Sequence, residues 1–387
     1  MRKSALFFFG LVVTVIVALG LVILSSASEA NGVRLHNDAY YFMKRQFVYL
    51  GIGVVLATAV AAFDYRKWRD HPSLTWAFFA VVLILLVAVF GFKAINGSHR
   101  WIALGPVRLQ PSEFAKLLTV ILLSVWLDRA GWRVELFLRG AFWPAVIISV
   151  IALPVLLEPD FGSVMVIGLA GLLVMLVAGV RLWYIGLFAF SGMAVVAAKV
   201  LTNANRMARI AAFAGIKIDV GAEVVDAAAE RAAYQAHQAL VAIGNGGIWG
   251  VGLNQSMQKH YYLPEAHTDF IFAIGAEELG LLFSAGVLVL FALFFILSIY
   301  IATKASDRFG RFLVIGMTFI IFFQAMFNIG VVCEALPTKG MALPFFSYGG
   351  TNMMSAFFAV GTILSVGIHS YRDRKRQFIS KVVMRNS

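Results

Sequence analysis

Charge is scarce in this 387-residue chain: Asp, Glu, Lys and Arg together make up 13% of it, about half the share carried by a soluble domain. So little polar surface cannot keep a protein of this size dispersed in water, and the 61% hydrophobic content points to lipid as the solvent. Cysteine is scarcer still. Cys333 stands alone, which excludes an internal disulfide and a cysteine-based metal site, and its place at the end of an apolar run reads as a small buried residue. The seven histidines are scattered, with no pair one helical turn apart, so no metal-ligand spacing is present. A phosphate loop, a Gly-x-Ser-x-Gly elbow and a dinucleotide fingerprint are all missing. Blocks of Lys and Arg with interleaved aromatics are missing too. The net charge of +12 therefore argues for anionic lipid headgroups and the positive-inside rule, and against nucleic acid.

Long apolar runs dominate what is there. They lie near 5–26, 46–63, 75–92, 114–127, 141–157, 162–180, 183–201, 273–302, 312–333 and 353–371, and a span needs roughly 20 such residues. The fold class expected is all-α integral membrane, a polytopic bundle of about ten transmembrane helices. The first run reads as a retained helix rather than a cleaved signal, and Pro154 is expected to kink the fifth. With a cytoplasmic N-terminus, Arg66, Lys67, Arg69, Arg129, Arg133, Arg139, Arg181, Lys304, Arg308, Arg311 and a basic tail at 372–387 all fall inside, with both termini cytoplasmic. The basic residues left outside exceed what orientation requires; an anionic ligand or pairing with loop carboxylates explains them equally well. Between the seventh and eighth runs, 202–268 forms a large extracytoplasmic loop within a single membrane domain. Inside it, Ala227–Ile243 has the spacing of an amphipathic helix lying on the membrane face, and Gly244–Gly252 suits close backbone approach.

Four polar stretches carry the candidate chemistry. In Ser256–Gly280, Lys259 and His267 precede Asp269 at the lip of an apolar helix. A carboxylate at that boundary suits a general base, and Thr268 or Asp269 equally suits a helix cap. Glu277 and Glu278 read as hydrogen-bonded within the bundle. In Gly97–Lys116, Arg100 and Trp101 precede Gln110, Pro111 and Ser112; Glu113 and Lys116 share a helix face and can pair or line a cavity. In Glu158–Gly162, Asp160 sits where a helix starts. In Leu336–Gly350, two prolines and three glycines make a non-helical segment that argues for a cavity, with Lys339 as its positive charge and Ser347 nearby; a plain extracellular loop is the alternative.

Together, RWI (Arg100–Ile102), QPSEFAK (Gln110–Lys116), EPDFG (Glu158–Gly162), Tyr234 with Gln235 and Gln238, LPEAHTDFIFA (Leu263–Ala273) and LPTKG followed by LPFFSYGG (Leu336–Gly350) resemble the SEDS family (shape, elongation, division and sporulation proteins) from the first span to the tenth. LPTKG with LPFFSYGG resembles its division branch more than its elongation branch; Ala342 and Thr351–Met354 depart from the pattern. The resemblance implies a glycosyltransferase of the inner membrane, working at the division septum, that joins lipid II into a growing glycan strand and releases undecaprenyl diphosphate. It places the essential carboxylate on Asp269 and implies a class B penicillin-binding protein as partner, alongside other division proteins. Lys116, Glu113, Arg45, Arg100, Arg206, Arg209 and Lys339 are the expected substrate and diphosphate contacts, and the prenyl tails require a groove open to lipid. No cofactor is implied; a divalent cation is compatible. A lipid II flippase and a non-enzymatic division scaffold are the competing classes.

Overall fold

The computed structural model describes residues 3–92, 99–104, 107–201, 207, 213, 223–260, 262–337 and 339–386. Each of the ten apolar runs forms a helix. In chain order these are α1 (Lys3–His36), α2 (Tyr41–Ala62), then after the one-turn α3 (Lys67–Asp70), α4 (Pro72–Ala88), α5 (Pro111–Ala130), α6 (Trp143–Leu157), α7 (Phe161–Ala178) and α8 (Leu182–Leu201). After α9 (Glu223–Gly246) come α10 (Ile271–Thr303), α11 (Arg308–Val332) and α12 (Gly350–Asn386). Among the described residues, nine helices are long and apolar enough to cross a bilayer. The remaining run is α5, of equal reach, which carries Glu113 and Lys116 in its first two turns and Asp128 and Arg129 in its last. The chain is a multi-pass membrane protein.

Two elements differ from the sequence expectation. A small antiparallel hairpin, β1 (Ile102–Leu104) with β2 (Val107–Leu109), precedes α5, pairing Ile102 with Leu109 and Ala103 with Arg108. The bundle is thus not purely α; alternation around Gly105–Pro106 was the legible signal. The helix expected to lie on the membrane face is longer than Ala227–Ile243, and it is not free. Ala232, Ala236, Ala239 and Ala242 form a buried stripe, and the helix packs against α10 and α11. Small side chains let the helix approach its neighbours closely. The Gly-rich segment after it does bring backbones together: a Cβ on Gly246 would lie 2.0 Å from the Ala276 carbonyl oxygen, and one on Gly250 2.1 Å from that of Glu278. Gly280 interrupts α10 with φ +71°, a conformation glycine adopts freely. Cys333, expected inside, is exposed just past the end of α11.

The most extensive helix pairing is α2 with α12. Small residues make it close, with Gly361 against the backbone of Ala57 and Gly53 against the Phe357 ring. Alternation of the helices places two rims. At one rim, arginines and acids interlock: Arg66 pairs with Asp307 (3.5 Å) and Asp373, and Arg69 with Asp128 (3.3 Å) and Asp307 (3.5 Å). Asp307 also caps α11 through the Gly310 amide and accepts from the buried Tyr65 hydroxyl. The opposite rim gathers the ends of α1, α6 and α11, the starts of α2, α5, α7, α10 and α12, and the candidate residues.

Candidate active site

α10 begins at Ile271 with Phe270 as its N-cap and no side-chain cap bond, so neither Thr268 nor Asp269 serves as the cap. Thr268 instead bonds back to Glu265. The partly exposed Asp269 is fixed through its backbone: its amide donates to the Glu265 carbonyl (3.1 Å), and its carbonyl accepts from Asn328 Nδ2 (2.7 Å). Its carboxylate rests against the 339–349 segment, where a Cβ on Gly340 would lie 2.5 Å from Oδ2. That segment is stitched to the Asp269 loop at two further points. The Tyr348 amide donates to the His267 carbonyl (3.0 Å), and the Ser347 hydroxyl donates to the Thr268 carbonyl while accepting from the Leu343 amide. His267 packs between Phe42 and Tyr348 with Nδ1 3.2 Å from Asn31, and burial pulls its pKa below the ordinary histidine value.

Lys339, next to Gly340, faces the EPDFG turn. Its Nζ stands 5.7 Å from the Phe161 ring centroid and would meet a Cβ on Gly162 at 3.2 Å. Asp160 caps α7, accepting from the Ser163 amide. Its Oδ2 also accepts from Ser163 Oγ (2.7 Å), Ser112 Oγ (3.1 Å) and Gln110 Nε2 (3.1 Å). Burial pushes the Asp160 carboxyl up, but Arg100, Lys339 and the Ser163 bonds outweigh it and hold the pKa below the ordinary value. Arg100, beside the half-buried Trp101, also donates to the backbone carbonyls of Glu158 and Pro159. Burial, with the neighbouring Asp160 charge, pushes the Glu158 carboxyl up to about 8 against the opposing pull of Arg100.

Gln110 and Ser112 lead directly into α5, which starts at Pro111 as expected. Glu113 and Lys116 pair at 2.6 Å, and Ser355 on α12 donates to the other Glu113 oxygen (2.8 Å). Of the two arrangements the sequence allows, a self-neutralising pair and the wall of a cavity, the structure has the pair: Lys116 is 1% and Glu113 5% exposed. Charges on a helix within an apolar bundle minimise desolvation cost by neutralising one another and satisfying the remaining oxygen. Thr351 on α12 holds the hairpin, accepting from the Gln110 amide and donating to the Arg108 carbonyl, each at 3.0 Å. Arg45 stacks on Tyr41 (4.9 Å) beside the Tyr348 hydroxyl.

The four polar stretches thus meet in one chain of contacts, from Asp269 through Gly340, Lys339, Asp160 and Ser112 to Glu113. Three sequence candidates stand apart from it. Lys259 is buried elsewhere, bonded to Ser26 (3.0 Å), the Asn254 carbonyl (2.8 Å) and Glu278 (3.4 Å), with Glu277 accepting from Ser256 and the Gln258 amide. Glu277 and Glu278 therefore bond within the bundle, as expected. Gln235 and Gln238 are half-buried on α9. Arg206 and Arg209 lie outside the described residues. An apolar groove of about 520 Å³ opens between α1 and α10, lined by Leu19, Leu279, Leu282, Phe283, Gly286, Val289 and Leu290. Among the described residues, no group of three or more His, Cys, Asp or Glu is placed to hold a metal. Asn328, which sequence reasoning passed over, joins the two central loops.

The profile of the cell cycle protein family that includes FtsW, RodA and SpoVE matches residues 6–372, nearly the whole chain. The chain belongs to this family. SEDS relatives similar to it include the probable peptidoglycan glycosyltransferase FtsW of Thioalkalivibrio sulfidiphilus, 39% identical over 92% of this chain and 87% of the relative. The protein of the same name from Coxiella burnetii is 35% identical over 91% of this chain and 93% of the relative. Among solved SEDS structures, the rod shape determining protein RodA of Thermus thermophilus superposes with TM-score 0.68 at 25% identity, covering 94% of this chain and 97% of that one. A chain from a peptidoglycan synthase complex, described for its coordination of polymerization and crosslinking, superposes with TM-score 0.73 at 25% identity, over 94% and 98%.

Proposed function

We infer that this chain is a division-type peptidoglycan glycosyltransferase that polymerises lipid II. One observation carries the reading: the Asp269 carboxylate, at the lip of a membrane helix, is seated on the loop that bears Lys339, with the Asp160–Arg100 cluster beside it. Asp269 takes the proton from the acceptor sugar hydroxyl as that oxygen bonds to the anomeric carbon of the lipid-linked donor. The bond from that carbon to the diphosphate breaks, and its electron pair leaves with undecaprenyl diphosphate. Lys339 and Arg100 stabilise the developing negative charge, with Arg45 at the edge. Asp160 keeps Lys339 and Arg100 oriented, because its own pKa is held low and it remains anionic. The buried Glu113–Lys116 pair acts from within, fixing the start of α5 beneath Ser112. Arg206 and Arg209 remain diphosphate candidates on the long loop.

In this reading the rim carrying Asp269 faces outward across the bacterial inner membrane, together with the large loop at 202–268. Both termini and the basic tail at 372–387 are cytoplasmic, and the enzyme works at the septum with a class B penicillin-binding protein. Purified with that partner and given fluorescent lipid II, the wild type is expected to yield glycan ladders on a gel and Asp269→Asn none. Full ladders from Asp269→Asn would remove the general base from the mechanism.

A further inference from the structure

Asn328 lies near the end of α11, 2% exposed, in an otherwise apolar stretch of helix. Burying a carboxamide there is costly unless its polar atoms are used; Oδ1 has no hydrogen-bond partner among the described residues, so the compensation falls on the nitrogen. Its Nδ2 donates to two backbone carbonyls at 2.7 Å each, those of Asp269 and Met341. The orientation of the amide is unambiguous, since a flip would set its oxygen against both carbonyls. One uncharged nitrogen therefore ties together the two loops that meet at the carboxylate. The Asp269 peptide is gripped on both sides, by Asn328 at its carbonyl and by Glu265 at its amide. Met341 follows Gly340, the residue against which Asp269 Oδ2 rests, so the same side chain fixes the acid and the floor under it.

We propose that Asn328 is a positioning residue for the glycosyl transfer: it sets the direction of the Asp269 carboxylate by stapling the 263–270 and 339–349 loops at one point. The inference rests on the reading of Asp269 as general base. A misplacement of about 1 Å in a reacting group costs on the order of 100-fold in rate, so a staple at this point acts on turnover rather than on binding.

The test is steady-state polymerisation of lipid II by the enzyme with its transpeptidase partner, for Asn328→Ala, Asn328→Ser, Asp269→Ala and the Asn328→Ala/Asp269→Ala double variant. Asn328→Ala is expected to lose at least about tenfold in kcat with KM within about threefold. Asn328→Ser, which keeps a single donor on a shorter arm, is expected to recover part of the loss, and the double variant is no slower than Asp269→Ala alone. A kcat within about twofold of wild type in Asn328→Ala, with Asp269→Ala inactive, overturns the inference and leaves the general base standing. So does a loss confined to KM, or a Ser variant no better than Ala in protein that melts at the wild-type temperature. If Asn328→Ala does not fold, the Ser variant decides on the same criteria. An active Asp269→Ala overturns the reading of Asp269 itself, whatever Asn328 does.

Discussion

At the scale of single residues, the environment of the EPDFG turn splits two neighbouring carboxyls. Asp160 gathers hydroxyl donors and two cations and stays ionised, whereas Glu158, buried in the same turn, is pushed up to about 8. An acid whose pKa rises on folding binds more protons folded than unfolded. Its contribution to stability therefore falls as pH rises from about 4.5, its ordinary value, through about 8, and is lowest above that interval. Glu158→Gln is accordingly expected to raise the melting temperature of the detergent-purified protein at pH 8 more than at pH 5. Equal shifts at both pH values would contradict the assignment. Asp269 was legible as a candidate because it stands between a polar loop and an apolar run; the resemblance favoured base over cap, and the structure makes Phe270 the N-cap. Asn328 was not legible: a lone Asn in an apolar stretch shows nothing of its partners, one of which lies 59 residues away.

At the scale of elements, hydrophobic run length located every membrane helix, because lipid leaves few alternatives to a helix of spanning length. The breaks were harder to read. Gly280 looks like one more small residue in an apolar run, yet its φ is +71° and a Cβ there would lie 2.5 Å from the Gly250 nitrogen and the Ile248 carbonyl oxygen. The break lets the Val251 and Gly252 amides reach the Glu277 and Glu278 carbonyls, and the Leu281 amide reach that of Gly247. Gly280→Ala is expected to cost about 1–3 kcal/mol from the backbone conformation alone, with the clash added, read as a fall in melting temperature. Gly286→Ala, in the same helix and in open space, is the comparison and should be neutral or slightly stabilising. A Gly280→Ala protein that melts with wild type would mean that the chain closes this junction in another way.

At the scale of the whole molecule, polar groups inside the bundle join segments that sequence cannot place together. Glu278 accepts from Ser26, 252 residues away, and both meet Lys259 from the loop before α10. A buried pair of this kind adds little net stability when complete but is costly to break. Lys259→Met should destabilise by about 3–5 kcal/mol, because it leaves the 0%-exposed Glu278 without its cation, and Lys259→Met/Glu278→Gln should recover part of that. A single variant that melts within a degree of wild type would show that the Ser26 hydroxyl and the Ser256 amide suffice for Glu278.

The last helix has a mechanical consequence. At 37 residues α12 is roughly 55 Å long, against a hydrocarbon layer of about 30 Å. Its first turns grip the hairpin through Thr351 and Glu113 through Ser355, while Phe378, Ile379 and Met384 near its far tip are exposed. A stiff rod of that length rocking by about 5° about its middle swings each tip by roughly 2 Å. Whatever takes hold of the distal end thereby has leverage on the hairpin and the start of α5, half a hundred ångströms away.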